Sequence, residues 1–230
     1  MLKLKQVNQF YGQSHTLWDI DMQFNAGKIS CVMGRNGVGK STLMKTIMGL
    51  TPARGEIILN DVNLLSRKSQ DRAHLGIGYV PQGREIFSQL TVQENLEIGL
   101  FARKDKAKRI PEKIFTLFPV LKEMLHRRGG DLSGGQQQQL AIGRALCTDP
   151  NILILDEPGE GIQPNIVQLI GEVLVSLAKE ENFTIILVEQ KLPFARKFAD
   201  EFTILDRGRV VAKDDISGLS DAVVKRYLSV

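Results

Sequence analysis

The chain has 230 residues, of which 43% are hydrophobic, and this is enough for one domain with a buried core. Its formal net charge of +4 is a mild basic excess spread along the chain, which favours solvated faces over a nucleic-acid surface. Cys31 and Cys147 are too few and too far apart for a disulfide scaffold, so we expect reduced thiols in a cytosolic protein.

Two segments near the start of the chain alternate polar and apolar residues, as half-buried strands do. They are Leu2–Val7 and Gly55–Asn60. The turn-forming run Thr51–Gly55 bounds the second of them. This pattern predicts an N-terminal antiparallel β lobe.

A series of short apolar runs has the length of buried strands. Helix-like segments lie between most of these runs, and strands that alternate with helices predict a mostly parallel sheet covered on both faces. The runs are Ile29–Met33, Ile77–Val80, Ile152–Leu155, Ile185–Val188 and Phe202–Leu205. The expected fold class is therefore α/β.

Helical patterns dominate from about residue 91 to residue 148. We expect this block to be a helical lobe inserted into a core of about residues 1–90 and 149–230, within one domain that spans residues 1–230. The densest basic group falls in this block, and we expect it on an exposed helix. Its members are Lys104, Lys106, Lys108 and Arg109. No stretch approaches the ~18 consecutive apolar residues of a membrane span, so work at a membrane would fall to partner subunits.

A glycine-rich loop of the form GxxxxGK[ST] lies between the first apolar run and a helix-like stretch, Leu43–Leu50. Its residues are Gly34, Arg35, Asn36, Gly37, Val38, Gly39, Lys40, Ser41 and Thr42. The glycines let the backbone curl so that N–H groups point at phosphate oxygens, and the helix adds the positive end of its dipole. In such a loop Lys40 reaches the β- and γ-phosphates and the Ser41 hydroxyl ligates Mg²⁺. A chance glycine-rich turn is the alternative.

Two acidic residues end the apolar run Ile152–Leu155. A buried strand delivers its last residues to the carboxyl edge of the sheet, where ligands bind in open α/β folds. Asp156 stands where a carboxylate holds Mg²⁺, directly or through water. Glu157 is the candidate general base that polarises an attacking water. The alternative is that both acids simply open a loop.

A Ser-Gly-Gly segment precedes the helical run Gln137–Leu146. Its residues, with their neighbours, are Leu132, Ser133, Gly134, Gly135 and Gln136. Alone, such a triplet is typical of a loop and a helix N-cap. Its place in the helical block, between the phosphate loop and the acidic strand, resembles the signature motif of ABC ATPases. The resemblance covers nearly the whole chain and implies a RecA-like P-loop NTPase core that binds ATP and Mg²⁺.

The resemblance implies roles for further residues. Tyr11 matches the aromatic residue that stacks on adenine, although a packed tyrosine at a strand end fits the same pattern. Gln82 matches the glutamine that contacts Mg²⁺ and the attacking water. The segment Gly83–Ser88 matches the region that meets a membrane subunit.

The family also implies that the site is completed by a second chain. Two ABC ATPases face each other head to tail, so that Ser133, Gly134 and Gly135 of one cap the γ-phosphate held by the other. The physical chemistry agrees, because the signature is another helix N-terminus that offers N–H donors to an anion.

Several positions depart from the family pattern. Gln190 stands where a switch histidine is usual, and glutamine donates a hydrogen bond but carries no titratable proton. Gln163 stands where many relatives carry Asp, Gly159 replaces the usual Thr or Ser, and Gln139 replaces a common arginine. Catalysis would then depend more on Glu157 and Mg²⁺.

These departures resemble the second ATPase of branched-chain amino-acid type importers. Within that group, Gly129–Gln139 and Leu117–Lys122 resemble the ATP-binding subunit of urea importers. The resemblance implies an ATPase that couples hydrolysis to urea uptake, with a branched-chain or other amino acid as the alternative cargo. It implies two membrane permease subunits, a second related ATPase, an extracytoplasmic substrate-binding protein and no nucleic acid. The chain would lie peripherally at the cytoplasmic face of the membrane.

Two other classes fit part of the sequence. The basic balance would suit an ABC ATPase that acts on nucleic acid or ribosomes, but such proteins usually carry two cassettes or a long coiled-coil insertion. A P-loop GTPase or small-molecule kinase would share the phosphate loop, but the chain has neither an Asn-Lys-x-Asp guanine-recognition motif nor an obvious acceptor lid.

Overall fold

A computed structural model describes residues 1–228 as two sheets flanked by helices. The strands are β1 (Leu2–Tyr11), β2 (Ser14–Phe24), β3 (Ile29–Met33), β4 (Ala53–Leu59), β5 (Val62–Asn63), β6 (Ile77–Val80), β7 (Ile152–Asp156), β8 (Thr184–Val188), β9 (Glu201–Asp206) and β10 (Arg209–Asp215). The helices are α1 (Lys40–Ile47), α2 (Ser69–His74), α3 (Val92–Leu100), α4 (Glu112–Leu117), α5 (Pro119–Glu123), α6 (Gly134–Leu146), α7 (Pro164–Glu181), α8 (Leu192–Phe198) and α9 (Asp221–Tyr227). Strands and helices alternate, which confirms the α/β class.

The larger sheet has the order β10-β9-β3-β8-β7-β6. All its neighbours pair in parallel except β9 and β10, which form an antiparallel hairpin. Strands β3, β7 and β8 are buried along their whole length, because helices and the second sheet cover both faces. The carboxyl ends of these three strands therefore meet at one edge, which places the residues that follow them close together.

The smaller sheet is antiparallel, with the order β2-β1-β4-β5. The sequence predicted β1 and β4, and the structure adds β2, whose Leu17, Ile20, Met22 and Phe24 point into the core. The Trp18 N–H donates to the Gly208 carbonyl at 2.8 Å and ties this lobe to the larger sheet. The predicted N-terminal antiparallel lobe is confirmed.

Helices α3 to α6 lie between β6 and β7 in the chain. Helix α6 packs closely on its neighbours at Gly143, where an added Cβ would lie 3.1–3.2 Å from Ile114, Leu121 and Leu96. The division into a core of residues 1–90 and 149–230 and a helical lobe of residues 91–148 stays an interpretation. Within residues 1–228, no helix combines the length and hydrophobicity that crossing a membrane requires.

The prediction that the basic group at residues 104–109 lies on a helix is wrong. These residues form turns and irregular backbone between α3 and α4. Asp105 accepts the N–H of Ala107, two residues ahead, which closes a local turn that competes with helical hydrogen bonds. Lys106 has a φ of 54°, which an α-helix does not accommodate.

Candidate ATP site

The phosphate loop joins β3 to α1. Gly34 has a φ of 145°, and an added Cβ there would lie 2.4 Å from the Leu205 carbonyl oxygen. Gly39 has a φ of 107° and lies against Leu17, which is 2.9 Å from an added Cβ. A side chain fits neither position, so the backbone itself forms the surface of the loop.

Helix α1 begins directly after this loop. Its N-cap is Gly39, which supplies no side-chain hydrogen bond to the first turn. The N–H groups of that turn lack intrahelical acceptors, and with the helix dipole they form a site for an anion.

Lys40 is buried within the loop, with 5% of its surface exposed. Its Nζ donates to the carbonyls of Gly34 at 2.8 Å and Arg35 at 2.9 Å. Burial lowers the pKa of Lys40, and the nearby carboxylates of Glu157, Asp156 and Glu189 oppose that shift. The ammonium group has no carboxylate hydrogen-bonded to it among the described residues, so phosphate oxygens would be favourable partners.

Asp156 ends β7 and is 2% exposed. Burial raises its pKa, and a hydrogen bond with the Ser41 side chain opposes that effect. Its Oδ1 is buried with no hydrogen-bond partner among residues 1–228. A buried carboxylate oxygen without a donor, beside a hydroxyl, fits the oxygen-ligand chemistry of Mg²⁺. Residues 1–228 contain no group of three or more His, Cys, Asp or Glu side chains that could hold a metal ion by themselves.

Glu157 follows Asp156 with a φ of 52°. Its N–H donates to the Val188 carbonyl at 2.9 Å, which fixes this left-handed turn against β8. Gln82 Nε2 donates to Glu157 Oε2 at 3.1 Å. Gln190 Nε2 donates to Glu157 Oε1 and, at 2.7 Å, to Asn36 Oδ1. The structure thus brings together the candidate base, two predicted glutamines and the phosphate loop.

Tyr11 is the last residue of β1 and is 48% exposed. It pairs with Ser14 across the β1–β2 hairpin. The hairpin lies beside the phosphate loop, since the Thr16 carbonyl is 3.6 Å from an added Cβ on Gly39. An exposed aromatic ring in this place has room for a stacked base, and the adenine role of Tyr11 stays a prediction.

The signature residues begin α6. Ser133 is the N-cap: its Oγ accepts the Gln136 N–H at 3.3 Å, and its own N–H donates to Gln136 Oε1 at 2.9 Å. Leu132 is buried in the core, whereas Ser133 is exposed. Gly135 packs on Ile166 of α7, 3.1 Å from an added Cβ. The capping residues also line an open cleft of about 570 Å³ together with Gly161 and Gln163.

Sequence reasoning missed three residues that contact this site. Glu160 Oε2 accepts a second hydrogen bond from Gln82 Nε2 at 3.1 Å. Arg84 donates to Gln137 Oε1 at 3.2 Å and to the Glu160 carbonyl at 3.3 Å. Glu189 is 3% exposed directly after β8. An acid that ends a buried apolar strand was the available signal for Glu189, because the same signal identified Asp156.

Comparison with known proteins gives consistent matches. The family model described as ABC transporter matches residues 17–160. The "High-affinity branched-chain amino acid transport ATP-binding protein BraG" of Pseudomonas aeruginosa is 42% identical over 216 residues, 93% of this chain and 92% of the relative. The "Probable branched-chain amino acid transport ATP-binding protein LivF" of Archaeoglobus fulgidus is 37% identical over 212 residues, 91% and 90% of the two chains.

The solved structures match as well. A dimeric, post-hydrolysis ATP-binding cassette, MJ0796 bound to ADP and Pi, has a TM-score of 0.85 and 25% identity, covering 95% of this chain and all of that one. A parallel sheet with a phosphate loop, a lysine and an acidic strand end defines the chain as a P-loop ATPase. The chain belongs to the ABC transporter family and is the ATP-binding subunit of such a transporter.

Proposed function

We propose that this chain is the ATP-hydrolysing subunit of an ABC importer of the branched-chain amino-acid type. The observation that carries the proposal is that the phosphate loop, Asp156 and Glu157 lie together in one site, in a chain that matches BraG over 93% of its length. BraG and LivF are named for branched-chain amino acids, which favours such a cargo. A urea cargo, the first expectation from the sequence, rests on the likeness at Gly129–Gln139 and is the second candidate.

The loop residues would bind the triphosphate before any chemistry occurs. The backbone N–H groups at the start of α1 and the Lys40 ammonium would bind the β- and γ-phosphates, and Lys40 would exchange its bonds to the Gly34 and Arg35 carbonyls for phosphate oxygens. Ser41, Asp156 and Gln82 are the residues that would hold Mg²⁺, which supplies charge neutralisation between the phosphates when bound.

Glu157 would act as general base on the attacking water. Its carboxylate is held from two sides by the amides of Gln82 and Gln190, and both amides remain uncharged over the physiological pH range. Gln190 also contacts Asn36 of the phosphate loop, so the same side chain reaches both the base and the loop.

The second half of the site would come from another ATPase subunit. Ser133, Gly134 and Gly135 begin a helix and line an open cleft, where they would cap a γ-phosphate held by a partner. The complex would contain two permease subunits, a related ATPase and an extracytoplasmic substrate-binding protein. The chain would then lie at the cytoplasmic face of the membrane through the permeases.

The catalytic assignment is tested by Glu157→Gln in the assembled importer. We expect ATP hydrolysis to fall at least 100-fold, since a positioned base contributes roughly 10²–10⁴ in rate, while ATP binding is retained. Glu123→Gln, which removes an exposed carboxylate elsewhere, is the matched control. Near wild-type hydrolysis by the Glu157 variant would show that another residue is the base.

The cargo is tested by uptake of labelled leucine and labelled urea in cells that lack this chain. We expect leucine uptake to be lost and to return with the wild-type chain but not with Glu157→Gln. Loss of urea uptake alone would select the second candidate. Unchanged uptake of both would reject the proposed class of cargo while leaving the ATPase assignment intact.

A further inference from the structure

Glu189 accepts hydrogen bonds that the proposed mechanism does not use. It follows the buried strand β8, and its Oε1 accepts the N–H of Gln190 at 2.8 Å and that of Lys191 at 2.9 Å. Its own N–H reaches the Val32 carbonyl of β3 at 3.3 Å. One buried oxygen that accepts two successive N–H groups fixes the backbone of the turn between β8 and α8.

The same turn carries Gln190 into the site. Its amide bridges Asn36 of the phosphate loop and the carboxylate of Glu157. A glutamine side chain has several free torsions and no charge, so a fixed backbone is needed for its amide to stay between two partners. Lys191 Nζ anchors the turn from the other side through the Gly159 carbonyl at 2.7 Å.

We propose that Glu189 is a positioning residue for hydrolysis: it holds the Gln190 backbone so that the Gln190 amide orients Glu157 beside the phosphate loop. The role rests on the proposed function, because Glu157 is the base only if the chain hydrolyses ATP. What Glu189 contributes is an acceptor oxygen at one place; its negative charge is not required for that contribution.

Two substitutions separate the acceptor from the charge. Glu189→Gln keeps an oxygen for both N–H groups, and we expect kcat of the assembled importer for ATP to stay within about threefold of wild type. Glu189→Ala removes the acceptor, and we expect kcat to fall at least tenfold with KM changed less than threefold. A general folding defect would lower kcat by reducing the active fraction with KM unchanged, so kcat is calculated per ATP-binding site measured for each variant.

Hydrogen exchange in the purified chain tests the geometry independently of hydrolysis. We expect the amides of Gln190 and Lys191 to exchange at least tenfold faster in Glu189→Ala than in wild type, and at nearly the wild-type rate in Glu189→Gln. An importer that hydrolyses no ATP would reject the proposed function, and the exchange rates would still decide whether Glu189 holds the turn.

Three results would overturn the positioning role. One is wild-type kcat in Glu189→Ala. Another is an equal loss of kcat in both variants, which would mean that the charge is what matters. The third is unchanged amide exchange at residues 190–191 in Glu189→Ala.

Discussion

Gly159 faces the second carboxylate oxygen of Glu189. That oxygen, Oε2, is buried without a hydrogen-bond partner within residues 1–228, and it lies 3.4 Å from an added Cβ on Gly159. Because 3.4 Å is ordinary van der Waals contact, the site accepts a Cβ without strain, and a hydroxyl on that Cβ would lie within donating distance. A buried carboxylate oxygen without a donor costs stability, since charged groups need hydrogen bonds when they leave water.

We therefore expect Gly159→Ser to stabilise the nucleotide-free chain by about 1 kcal/mol, or roughly 2–4 °C in Tm, when Glu189 is ionised. Burial is the main cause of the raised pKa of Glu189, and hydrogen bonds from Lys191 and Gln190 oppose it. A raised pKa means that the folded chain loses stability as the pH rises from the unfolded value through the folded one. The serine hydroxyl donates to the ionised carboxylate of Glu189, so the added stability of Gly159→Ser is present above the raised pKa of Glu189 and decreases towards pH 4.

Thermal unfolding at pH 8 and at pH 4 measures this difference. In a Glu189→Ala background the serine hydroxyl has no carboxylate to donate to, so the increase in Tm at pH 8 should disappear. An equal gain at both pH values, or none at pH 8, would show that the serine hydroxyl does not reach Glu189.

At the scale of an element, helix α3 is held to the segment before it by one buried side chain. Asn95 is fully buried: Oδ1 accepts the Phe87 N–H at 2.9 Å, and Nδ2 donates to the carbonyls of Phe87, Leu90 and Thr91. These bonds join α3 to the end of the segment Gly83–Ser88, so the helical block depends on them for its position.

Asn95→Ala leaves the Phe87 N–H without its acceptor and removes the buried amide, while the carbonyls of Phe87, Leu90 and Thr91 keep their backbone partners. We expect it to cost about 3 kcal/mol, or roughly 6–12 °C in Tm. Gln93→Ala on the same helix removes only a partly exposed bond to Glu97, and we expect less than about 0.5 kcal/mol. Urea unfolding of both variants measures the difference, and a loss below 1 kcal/mol for Asn95→Ala would show that water replaces its bonds.

A strand or helix is predictable from the sequence where the residues of that element themselves show the hydrophobic pattern. β3 has the predicted bounds, and β7, β8 and β9 differ by at most one residue at an end, because each is an apolar run between polar residues. The helix-like stretch Leu43–Leu50 belongs to α1, which begins at Lys40, as expected of the helix after the phosphate loop, and ends at Ile47 rather than Leu50. Gly49, with a φ of 73°, terminates it.

The rest of the site depends on contacts between distant parts of the chain. The bonds of Gln82 join positions 75 and 78 residues apart, and the bond between Gln190 and Asn36 spans 154. Local periodicity carries no information on such pairs, so a resemblance assigned Gln82 and Gln190 to the site, whereas the contacts of Glu160 and Arg84 needed coordinates. Glu189 had a local signal, as an acid that ends a buried apolar strand. The helix prediction for the basic group at residues 104–109 failed for a local reason, because Asp105 closes a turn that composition alone does not reveal.

For the whole molecule, the placement of the signature decides how many chains one active site needs. Ser133 caps its own helix through Gln136 and faces an open cleft, while Lys40 lies in the phosphate loop with bonds to that loop alone. No hydrogen bond of the described residues joins Ser133 to the phosphate loop. We expect a phosphate bound by both segments to lie between two polypeptides, and ATP would then favour the closed pair because it contacts both halves only there.

Ser133→Arg tests that arrangement. We expect it to abolish ATP-dependent association with a second ATPase subunit in the Glu157→Gln background, because a bulky side chain fills the face that meets the partner's phosphate. ATP affinity of the single chain, measured with a fluorescent analogue, should change less than threefold. Ser133→Ala loses the helix cap but adds no bulk, so it controls for the ~1 kcal/mol that a lost cap costs. If Ser133→Arg instead abolished ATP binding by the single chain, the signature would act on the nucleotide of its own polypeptide, and one chain would hold a complete site.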